Sequence, residues 1–354
     1  MSRTRMAVVG CGHLGAIHAR LLAARQDAEL VAVVDPVAES RARVAAAHGC
    51  RPVAEPQELI GLVDAAVIAA PTGLHAGIAL PLLEAGLDLL VEKPIAAAVE
   101  EARAISIAAR RHGRVVAVGH VERCNPAWRT AVARVGRPVV VESARLAPFT
   151  FRSLDVGVVH DLMIHDIDLV LSLEPGRLER VEAQGIVATG GHEDAARARL
   201  VFASGLVADL SASRINPVVR RSLTMWSDSG IASVDFNAKT VDVIEPSAAV
   251  RDGSFVADAV PPAERGGLKE RFFSDILPLE TVAVADANAI ACEQDDFLDA
   301  VRMRRQPLVT AAAGAAAVEI AARVLEALET TRFGKTAGGR AAGTIPLYPR
   351  RKTA

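Results

Sequence analysis

Five ionisable side chains lie within one apolar stretch of the sequence, "HDLMIHDIDL" at residues 160–169. They are His160, Asp161, His165, Asp166 and Asp168. On a helix, Asp161 and His165 are four positions apart and share one face, with Asp168 one turn further along. An imidazole that titrates near neutral pH beside a carboxylate is suited to general base catalysis. The alternative is a helix-capping or buried hydrogen-bonded Asp–His pair.

A metal site is a further interpretation of this pair, and the sequence disfavours it. There is no HExxH motif, and His75 and His120 are the only other candidate ligands that the pattern offers. The cysteines are far apart and form no CxxC pair; they are Cys11, Cys50, Cys124 and Cys292. This spacing predicts neither a zinc site nor a disulfide framework, and it is typical of reduced thiols in a cytoplasmic protein. We therefore predict no metal cofactor.

A second candidate site lies near the N-terminus, where "VVGCGHLG" matches the pattern GxGxxG. Gly10 would allow a tight turn, Gly12 the close approach of a pyrophosphate, and Gly15 the packing of a helix on a strand. The pyrophosphate would lie at the helix N-terminus, whose free N–H groups favour an anion, so His13 and Leu14 are also predicted cofactor contacts. The alternative is a tight strand-to-helix turn without a ligand.

Asp35 ends the second predicted strand and decides which dinucleotide the site favours. A carboxylate at this distance from the glycines can accept hydrogen bonds from the ribose hydroxyls and repel a 2′-phosphate. The sequence therefore favours NAD over NADP. Arg41 and Arg43 follow on the next helix and could weaken that preference, although a solvated helix face is the more ordinary role for them.

Two further strand ends carry polar residues. "AAPTGLH" places Pro71, Thr72 and His75 after one apolar run, and "VEKP" places Glu92 and Lys93 after another. Ligands of open α/β sheets bind beyond the carboxyl ends of the strands, so we predict that these residues contact the cofactor. A lone lysine in a turn is usually solvated, but here an apolar strand delivers Lys93 to the cofactor rim.

The elements that must position these residues alternate in the first third of the chain. The predicted strands are 6–10, 30–35, 64–71, 88–94 and 114–120. The predicted helices between them are 13–25, 37–48, 74–86 and 97–112. Such alternation predicts right-handed βαβ units and a doubly wound parallel sheet.

The remainder of the chain follows a different pattern. After residue 120, β-like runs follow one another without helices, which predicts an open, mostly antiparallel sheet, and "FASGLVA" predicts a hairpin with a Ser-Gly turn. Residues 248–292 are irregular, and 310–331 form a predicted closing helix capped by Thr310. We predict a Rossmann domain at 1–121, an α/β substrate and oligomerisation domain at 122–330, and a basic, poorly ordered tail at 331–354.

Length and charge set outer limits on function. The chain has 354 residues, which suits two domains, and a formal net charge of −2. No basic stripe points to nucleic acid, and no uncharged stretch approaches the roughly 18 residues of a membrane span. The N-terminal apolar run is broken by glycines too early for a signal peptide. These features predict a cytoplasmic protein with a small-molecule substrate.

Taken together, the GxGxxG pattern, Asp35, "APTGLH", "EKP" and "DLMIHDIDL" resemble the Gfo/Idh/MocA oxidoreductases over nearly the whole chain up to about residue 330. The resemblance implies an NAD-dependent, two-domain oxidoreductase. It also implies that Lys93, Asp161 and His165 form the catalytic group and that the protein is a homo-oligomer, a dimer or tetramer. His165 would accept the hydroxyl proton, Lys93 would stabilise the reacting oxygen, and Asp161 would bind the sugar or orient the imidazole. Lys93 as proton acceptor is the alternative.

Within that family, "VGHVERCNPAW", "DVGVVHDLMIHDID" and "SASR" look most like nucleotide-sugar members, particularly the UDP-N-acetylglucosamine 3-dehydrogenases. Cys124 and His160 depart from that branch, which has Phe and an apolar residue there. Asn125-Pro126 predicts a helix N-cap followed by Pro at N1. Arg123, Asn125 and Arg214 are candidate contacts to sugar or diphosphate, with a domain-interface ion pair as the alternative for Arg123.

The predicted activity is NAD-dependent oxidation of a secondary sugar hydroxyl, with C3 of UDP-N-acetylglucosamine as the leading substrate position. An inositol or simple-sugar dehydrogenase is the alternative within enzymes. A non-catalytic NAD-binding sensor or regulator is the alternative from another class, and the joint presence of Lys93, Asp161 and His165 argues against it.

Overall fold

The computed structural model describes residues 3–151, 156–189 and 191–332. The chain divides into two compact units, one formed by residues up to 124 together with 287–322, and the other by 125–286 together with the described residues from 323 onward. The sequence pattern instead places 287–322 in the second domain. Within the described ranges, no helix is long and apolar enough to cross a membrane.

Strands and helices alternate in the first part of the chain, and strands dominate the middle. In chain order, the strands are β1 Thr4–Val9, β2 Ala28–Val34, β3 Arg51–Val53, β4 Ala65–Ile68, β5 Asp88–Glu92, β6 Val116–Gly119, β7 Val140–Leu146, β8 Leu178–Val187, β9 Ala195–Phe202, β10 Val207–Ser213, β11 Arg220–Ser227, β12 Gly230–Asp235, β13 Thr240–Ile244, β14 Leu279–Val282 and β15 Leu328–Arg332. The helices are α1 His13–Ala23, α2 Ala38–His48, α3 His75–Glu84, α4 Val99–Arg111, α5 Pro126–Val135, α6 Ile164–Leu171, α7 Ala248–Arg251, α8 Arg265–Glu270, α9 Ala289–Met303 and α10 Ala311–Ala327.

The first unit contains a six-stranded parallel sheet in the order β3-β2-β1-β4-β5-β6. This is the strand order of dinucleotide-binding folds, in which the direction of winding reverses next to β1. The apolar runs of the sequence form the central strands, and β4 and β5 are buried along their whole length. The prediction of a doubly wound parallel sheet is therefore confirmed, and the short edge strand β3 is an addition to it.

Helix α9 belongs to the first unit because of its apolar face. Phe297, Leu298 and Ala300 of this helix join one buried cluster with Met6 and Leu22 from β1 and α1. Removing that much apolar surface from water stabilises the association, at roughly 25 cal/mol per Å². The packing of α9 is thus a tertiary property that the irregular sequence before it did not reveal.

The second unit contains a nine-stranded sheet in the order β14-β13-β12-β11-β7-β10-β9-β8-β15. Among the described strand pairs of this second sheet, only β7–β10 and β8–β15 are parallel, so the predicted open, mostly antiparallel sheet is confirmed. Strands β9 and β10 form the predicted hairpin, and Gly205 in its turn has φ +89°. Burial along β9 largely alternates with exposure, as expected for a sheet with one face on a core.

The C-terminal part of the described chain differs from the prediction. Thr310 does cap α10, since its hydroxyl accepts the Ala313 N–H at 3.1 Å. The helix ends at Ala327, however, and the chain continues as β15. There the main-chain N–H and C=O groups gain hydrogen-bond partners by pairing with β8. The predicted tail boundary at 331 falls inside β15, and the tail itself lies outside the described residues. The segment 248–292 is not wholly irregular, because it contains α7, α8, β14 and the start of α9.

Candidate active site

The GxGxxG loop joins β1 to α1 with the geometry that the glycines predict. Gly10 has φ +100°, and a Cβ there would lie 2.5 Å from the Ala69 carbonyl oxygen. A Cβ at Gly15 would lie 1.8 Å from the Gly10 carbonyl oxygen, so both positions require glycine. At Gly12, in contrast, the Cβ direction is open. This helix N-terminus has no side-chain cap, and His13 and Leu14 in its first turn are exposed. The loop thus fits a pyrophosphate, which needs open space and uncapped N–H groups.

Asp35 lies beside this loop. One carboxylate oxygen accepts the Cys11 N–H at 2.8 Å and the other accepts the Val37 N–H at 2.8 Å. The carboxylate is therefore fixed next to the glycines, where the ribose of a bound dinucleotide would lie. Arg41 donates to the Asp35 carbonyl and Arg43 to the Cys11 carbonyl, so neither is simply a solvated helix residue.

The strand ends after β4 and β5 reach the same sheet edge as the glycine loop, because all three strands are parallel neighbours. Pro71 is exposed and Thr72 is half-buried at this edge. His75 is 1% exposed, and its ring nitrogens lie 2.9 Å from the Pro94 carbonyl and 2.8 Å from the Ala70 carbonyl. The predicted cofactor contact of His75 is thus replaced by a structural role, in which the imidazole joins the two loops that follow β4 and β5.

Glu92 and Lys93 are neighbours in the sequence but differ in their exposure to solvent. Glu92 is buried, with its carboxylate 2.8 Å from His18 Nε2 and 3.2 Å from the Lys93 N–H. It therefore does not offer a carboxylate to a cofactor, contrary to the prediction, because it is the last buried residue of a central strand. Lys93 directly follows it and is half-buried. Lys93 is therefore the side chain of the "EKP" motif that the fold leaves partly accessible.

In the second unit, the "HDLMIHDIDL" segment is not one regular α-helix. Val159–Met163 form a π-helical turn that leads into α6. Its N-terminus is held by Glu193, whose carboxylate accepts the Val159 N–H at 2.9 Å. Gly157 leaves room for that carboxylate, since a Cβ there would lie 2.1 Å from it. Burial is the largest influence on Glu193 and raises the pKa of its carboxyl group.

The five ionisable residues of this segment separate into two groups. Asp166 forms a buried ion pair with Arg145 at 2.8 Å, Asp168 is 0% exposed, and His160 is also buried. Asp161 and His165 are the two that remain half-buried. The expected continuation of the stripe to Asp168 is therefore wrong, because α6 turns that residue into the core. The accessible pair is the one that the sequence proposed for chemistry.

The three candidate substrate contacts, Asn125, Arg123 and Arg214, differ in their local surroundings. Asn125 caps α5 by accepting the Ala127 N–H at 3.0 Å, with Pro126 at the first helical position as predicted. Arg123 is half-buried in the short 3-10 turn Val121–Cys124. Arg214 is buried and bonds Asp194 at 2.7 Å, so its guanidinium supports a loop of its own unit and is a weaker candidate for a phosphate ligand.

Several residues of the site had no signal in the sequence. His18 and Gln294 meet through a 3.0 Å hydrogen bond across 276 positions, and Glu293 is buried next to them. Among the described residues, the His, Cys, Asp and Glu side chains close enough to share a metal ion are His18, Glu92 and Glu293. The "HDLMIH" segment contributes none of them. Only the amphipathic pattern of α9 could have suggested that Glu293 and Gln294 pack against another element.

The chain is similar to known proteins over most of its length. Residues 4–120 match the model of the oxidoreductase family with an NAD-binding Rossmann fold, and residues 128–232 match the GFO/IDH/MocA C-terminal domain. A UDP-N-acetylglucosamine 3-dehydrogenase of Acidithiobacillus ferrooxidans is 36% identical over 331 residues, which cover 93% of this chain and 98% of that protein. Its solved structure superimposes with a TM-score of 0.80 at 34% identity, over 93% of this chain and 98% of that one.

More distant relatives show the same fold with other substrates. A scyllo-inositol 2-dehydrogenase (NAD(+)) of Bacillus subtilis is 30% identical over 61% of this chain and 68% of its own length. A myo-inositol dehydrogenase of Corynebacterium glutamicum has a TM-score of 0.72 at 23% identity, over 92% of this chain and 97% of that one. The matched domains, the nearly full-length relative and the glycine loop lead to one conclusion: the chain belongs to the Gfo/Idh/MocA family of oxidoreductases and carries an NAD-binding Rossmann domain.

Proposed function

We propose that the protein is an NAD-dependent dehydrogenase that oxidises C3 of UDP-N-acetylglucosamine or a related nucleotide sugar. The observation that carries the proposal is the extent of the similarity. The UDP-N-acetylglucosamine 3-dehydrogenase matches over 98% of its length, whereas the inositol dehydrogenase from Bacillus subtilis matches over 68%. The longer match spans 93% of this chain, whereas the inositol dehydrogenase match spans 61% of it.

The first unit would hold the cofactor through its glycine loop. The open face at Gly12 and the N–H groups at His13 and Leu14 suit the pyrophosphate, and Asp35 suits the ribose hydroxyls. Pro71 and Thr72 line the same edge of the sheet. When bound there, the nicotinamide would accept a hydride from the sugar carbon.

The protein side chains would accept the hydroxyl proton and stabilise the negative charge on the reacting oxygen. We propose that His165 takes the hydroxyl proton, so that the carbon loses a hydride and the oxygen loses a proton to give a ketone. Lys93 would donate a hydrogen bond to the reacting oxygen and stabilise the negative charge that develops on it. Asp161, half-buried one turn before His165, would bind the sugar or orient the imidazole. Arg123 and Asn125 are the proposed contacts to the rest of the nucleotide sugar.

The experiment is a substrate panel with NAD and the purified protein. UDP-N-acetylglucosamine, UDP-glucose and myo-inositol would each be incubated with the protein while the absorbance of NADH is followed. Mass spectrometry of the product should show the loss of two hydrogens from the acetamido sugar. Turnover of myo-inositol with no turnover of either UDP-sugar would replace this proposal with the inositol dehydrogenase alternative, which the Bacillus subtilis relative favours.

We also propose a cytoplasmic homo-oligomer, a dimer or tetramer. The support is family analogy together with the alternating exposure of β9 in the nine-stranded sheet, which leaves one sheet face accessible within the described chain. Light scattering coupled to size-exclusion chromatography would give the mass of the particle, and a monomer at micromolar concentration would contradict this part of the proposal.

A further inference from the structure

Four polar residues of the first unit form a buried cluster that the reaction above does not use. They are His18, Glu92, Glu293 and Gln294, and each is at least nine-tenths buried. One side-chain atom from each of His18, Glu92 and Glu293 lies within 4.8 Å of the others. Buried polar groups are unfavourable unless they are hydrogen-bonded, so a cluster of this kind next to Lys93 requires an explanation. We call it the His18 cluster.

The hydrogen bonds of the His18 cluster run in one direction. The amide nitrogen of Gln294 lies 3.0 Å from His18 Nδ1 and 3.3 Å from the His18 carbonyl oxygen. Because a carbonyl only accepts, the amide nitrogen must face it and must also donate to Nδ1. The ring proton is then on Nε2, which donates to Glu92 at 2.8 Å. A protonated Nε2 in direct contact with a carboxylate indicates a hydrogen-bonded network rather than a metal centre.

Glu92 is fixed at both of its oxygens. Oε1 accepts from His18, and Oε2 accepts the main-chain N–H of Lys93 at 3.2 Å. Gly119 on the neighbouring strand makes room for this carboxylate, since a Cβ there would lie 2.8 Å from Oε2. Burial disfavours ionisation of Glu92, but its interactions with His18 and the charge of Lys93 together outweigh this effect and lower its pKa. The charged form of Glu92 therefore stands at the base of Lys93.

Glu293 does not add a second charge. Burial, and then the nearby charge of Glu92, raise the pKa of the Glu293 carboxyl group well above its ordinary value. Two carboxylates this close cannot both ionise readily in a buried site. Its Oε1 atom is buried without a hydrogen-bond partner among the described residues. The acidic charge of the His18 cluster is therefore concentrated on Glu92.

We propose that Glu92 is a positioning residue for Lys93, and that His18, oriented by Gln294, holds the Glu92 carboxylate in the required place. The inference rests on the proposed function, in which Lys93 donates to the reacting oxygen. Glu92 would act by fixing the main chain at Lys93 and by attracting its ammonium group, and it does not touch the substrate. A donor displaced by about 1 Å can lower a rate by roughly 100-fold, so such support has a measurable consequence.

The test compares Glu92→Gln with a matched variant at the other end of the same strand, Asp88→Asn. Asp88 is also a buried β5 acid, and it accepts the Val115 N–H at 2.7 Å and an Arg304 nitrogen at 2.7 Å. Both variants remove a buried charge and should lower Tm. Only Glu92→Gln should lower kcat, by roughly 10-fold or more, while the NAD Kd changes by less than about threefold. Equal kcat in the two variants would show that Glu92 is structural only.

Two further variants separate positioning from general damage. Glu92→Asp keeps the charge and should retain more kcat than Glu92→Gln. Gln294→Met removes the amide that orients His18 with a smaller change in packing, and it should lower kcat with unchanged NAD affinity. If Glu92→Gln does not fold, an unchanged kcat in Gln294→Met overturns the proposal.

A substrate-independent measurement distinguishes failure of this inference from failure of the proposed function. Lysine amines of the folded protein would be labelled with acetic anhydride at several pH values and quantified by peptide mass spectrometry, with Lys239 and Lys269 as internal references. In Glu92→Gln, the acetylation rate of Lys93 should change relative to those of Lys239 and Lys269, because the carboxylate that fixes its main chain is gone. That result without turnover of UDP-N-acetylglucosamine would preserve the positioning role and reject the substrate. Unchanged Lys93 reactivity, or a stoichiometric metal by elemental analysis, would overturn the positioning role.

Discussion

In the first unit, the half-buried Lys93 follows a buried acid, Glu92, that is anchored by a histidine and a main-chain N–H. In the second, the half-buried His165 precedes a buried acid, Asp166, that is anchored by a full ion pair with Arg145. Both units thus place an accessible catalytic candidate next to an immobilised carboxylate. They differ in the group that fixes the carboxylate, which is a neutral imidazole and a main-chain N–H in the first unit and a guanidinium in the second.

This difference has energetic consequences. Arg145 is permanently charged and also lies 5.7 Å from the Phe236 ring centroid, so Asp166 is buried beside a cation that cannot lose its charge. Glu92 shares its environment with a histidine, a neighbouring lysine and a second acid that stays neutral. We therefore expect substitutions of Arg145 or Asp166 to act mainly on folding. Substitutions around Glu92 should act mainly on catalysis and on the pH dependence of stability.

The largest effect should follow the loss of the Arg145 anchor. Arg145→Met breaks the buried ion pair with Asp166, and removing one partner of such a pair typically costs about 3–5 kcal/mol of unfolding free energy. Urea denaturation would measure the loss. Arg199→Met is the matched control, since Arg199 pairs with Asp209 at 2.7 Å in the same sheet but at the surface, and it should change stability little. Failure of Asp166→Leu to recover stability in the Arg145→Met background would argue against an unpaired charge as the cause.

The next effect concerns Lys93. Lys93→Met keeps the aliphatic stem and removes the proposed donor to the reacting oxygen, so kcat should fall by roughly 100-fold or more while NAD affinity changes little. Steady-state kinetics and fluorescence titration of NAD would measure the two quantities. Turnover that survives within a few-fold would make Lys93 a scaffold residue.

The corresponding test in the second unit is His165→Asn. If His165 is the general base, kcat/KM of the unmutated protein should fall as the pH is lowered and the ring becomes protonated. Asn keeps a hydrogen bond but cannot take the proton. Most activity should therefore disappear, and so should the fall in kcat/KM at low pH, which we call the acid limb. Asp161→Asn should keep the limb and move its midpoint to lower pH, because the imidazolium loses a nearby carboxylate. An unchanged limb in His165→Asn would transfer the base role to another group, with Lys93 as the first candidate.

Cofactor preference should respond more modestly. Asp35→Ser removes the carboxylate that would face the ribose while leaving a small polar group beside the Cys11 N–H. NAD should bind more weakly and NADP more tightly, which narrows the ratio of their kcat/KM values. Arg41 and Arg43, already turned toward this loop, would favour a 2′-phosphate once the carboxylate is gone. Equal kcat/KM values in the unmutated protein would contradict the role given to Asp35.

The smallest effect tests the neutral member of the His18 cluster. Because the folded-state pKa of Glu293 lies above its ordinary value of 4.5, the protein loses stability as the pH rises from about 4.5 toward that raised pKa. Glu293→Gln lacks this loss, so its Tm relative to that of the unmutated protein should rise as the pH is raised above about 4.5. Besides burial, the groups that raise the pKa of Glu293 are Glu92, Cys292 and Asp296. A Tm difference that is independent of pH would mean that Glu293 is charged in the folded protein.

Local patterns predicted much of the first unit. The GxGxxG spacing and the position of Asp35 are consequences of one βαβ unit, whose residues are close in sequence, so pattern and structure agree there. The N-cap at Asn125 is equally local. The roles of Glu92 and His75 were not predictable in this way, because a strand end exposes or buries a side chain according to what packs over it.

The sequence by itself determined the family, the two sheets, the glycine loop and the identity of the accessible residues Lys93, Asp161 and His165. Tertiary structure alone decided which of the neighbouring ionisable side chains are buried and paired with other protein groups. Asp166 meets Arg145 across 21 positions, and Gln294 meets His18 across 276. The physical reason is that burial makes a polar side chain depend on a partner, and that partner is chosen by proximity in the folded protein rather than by spacing along the chain.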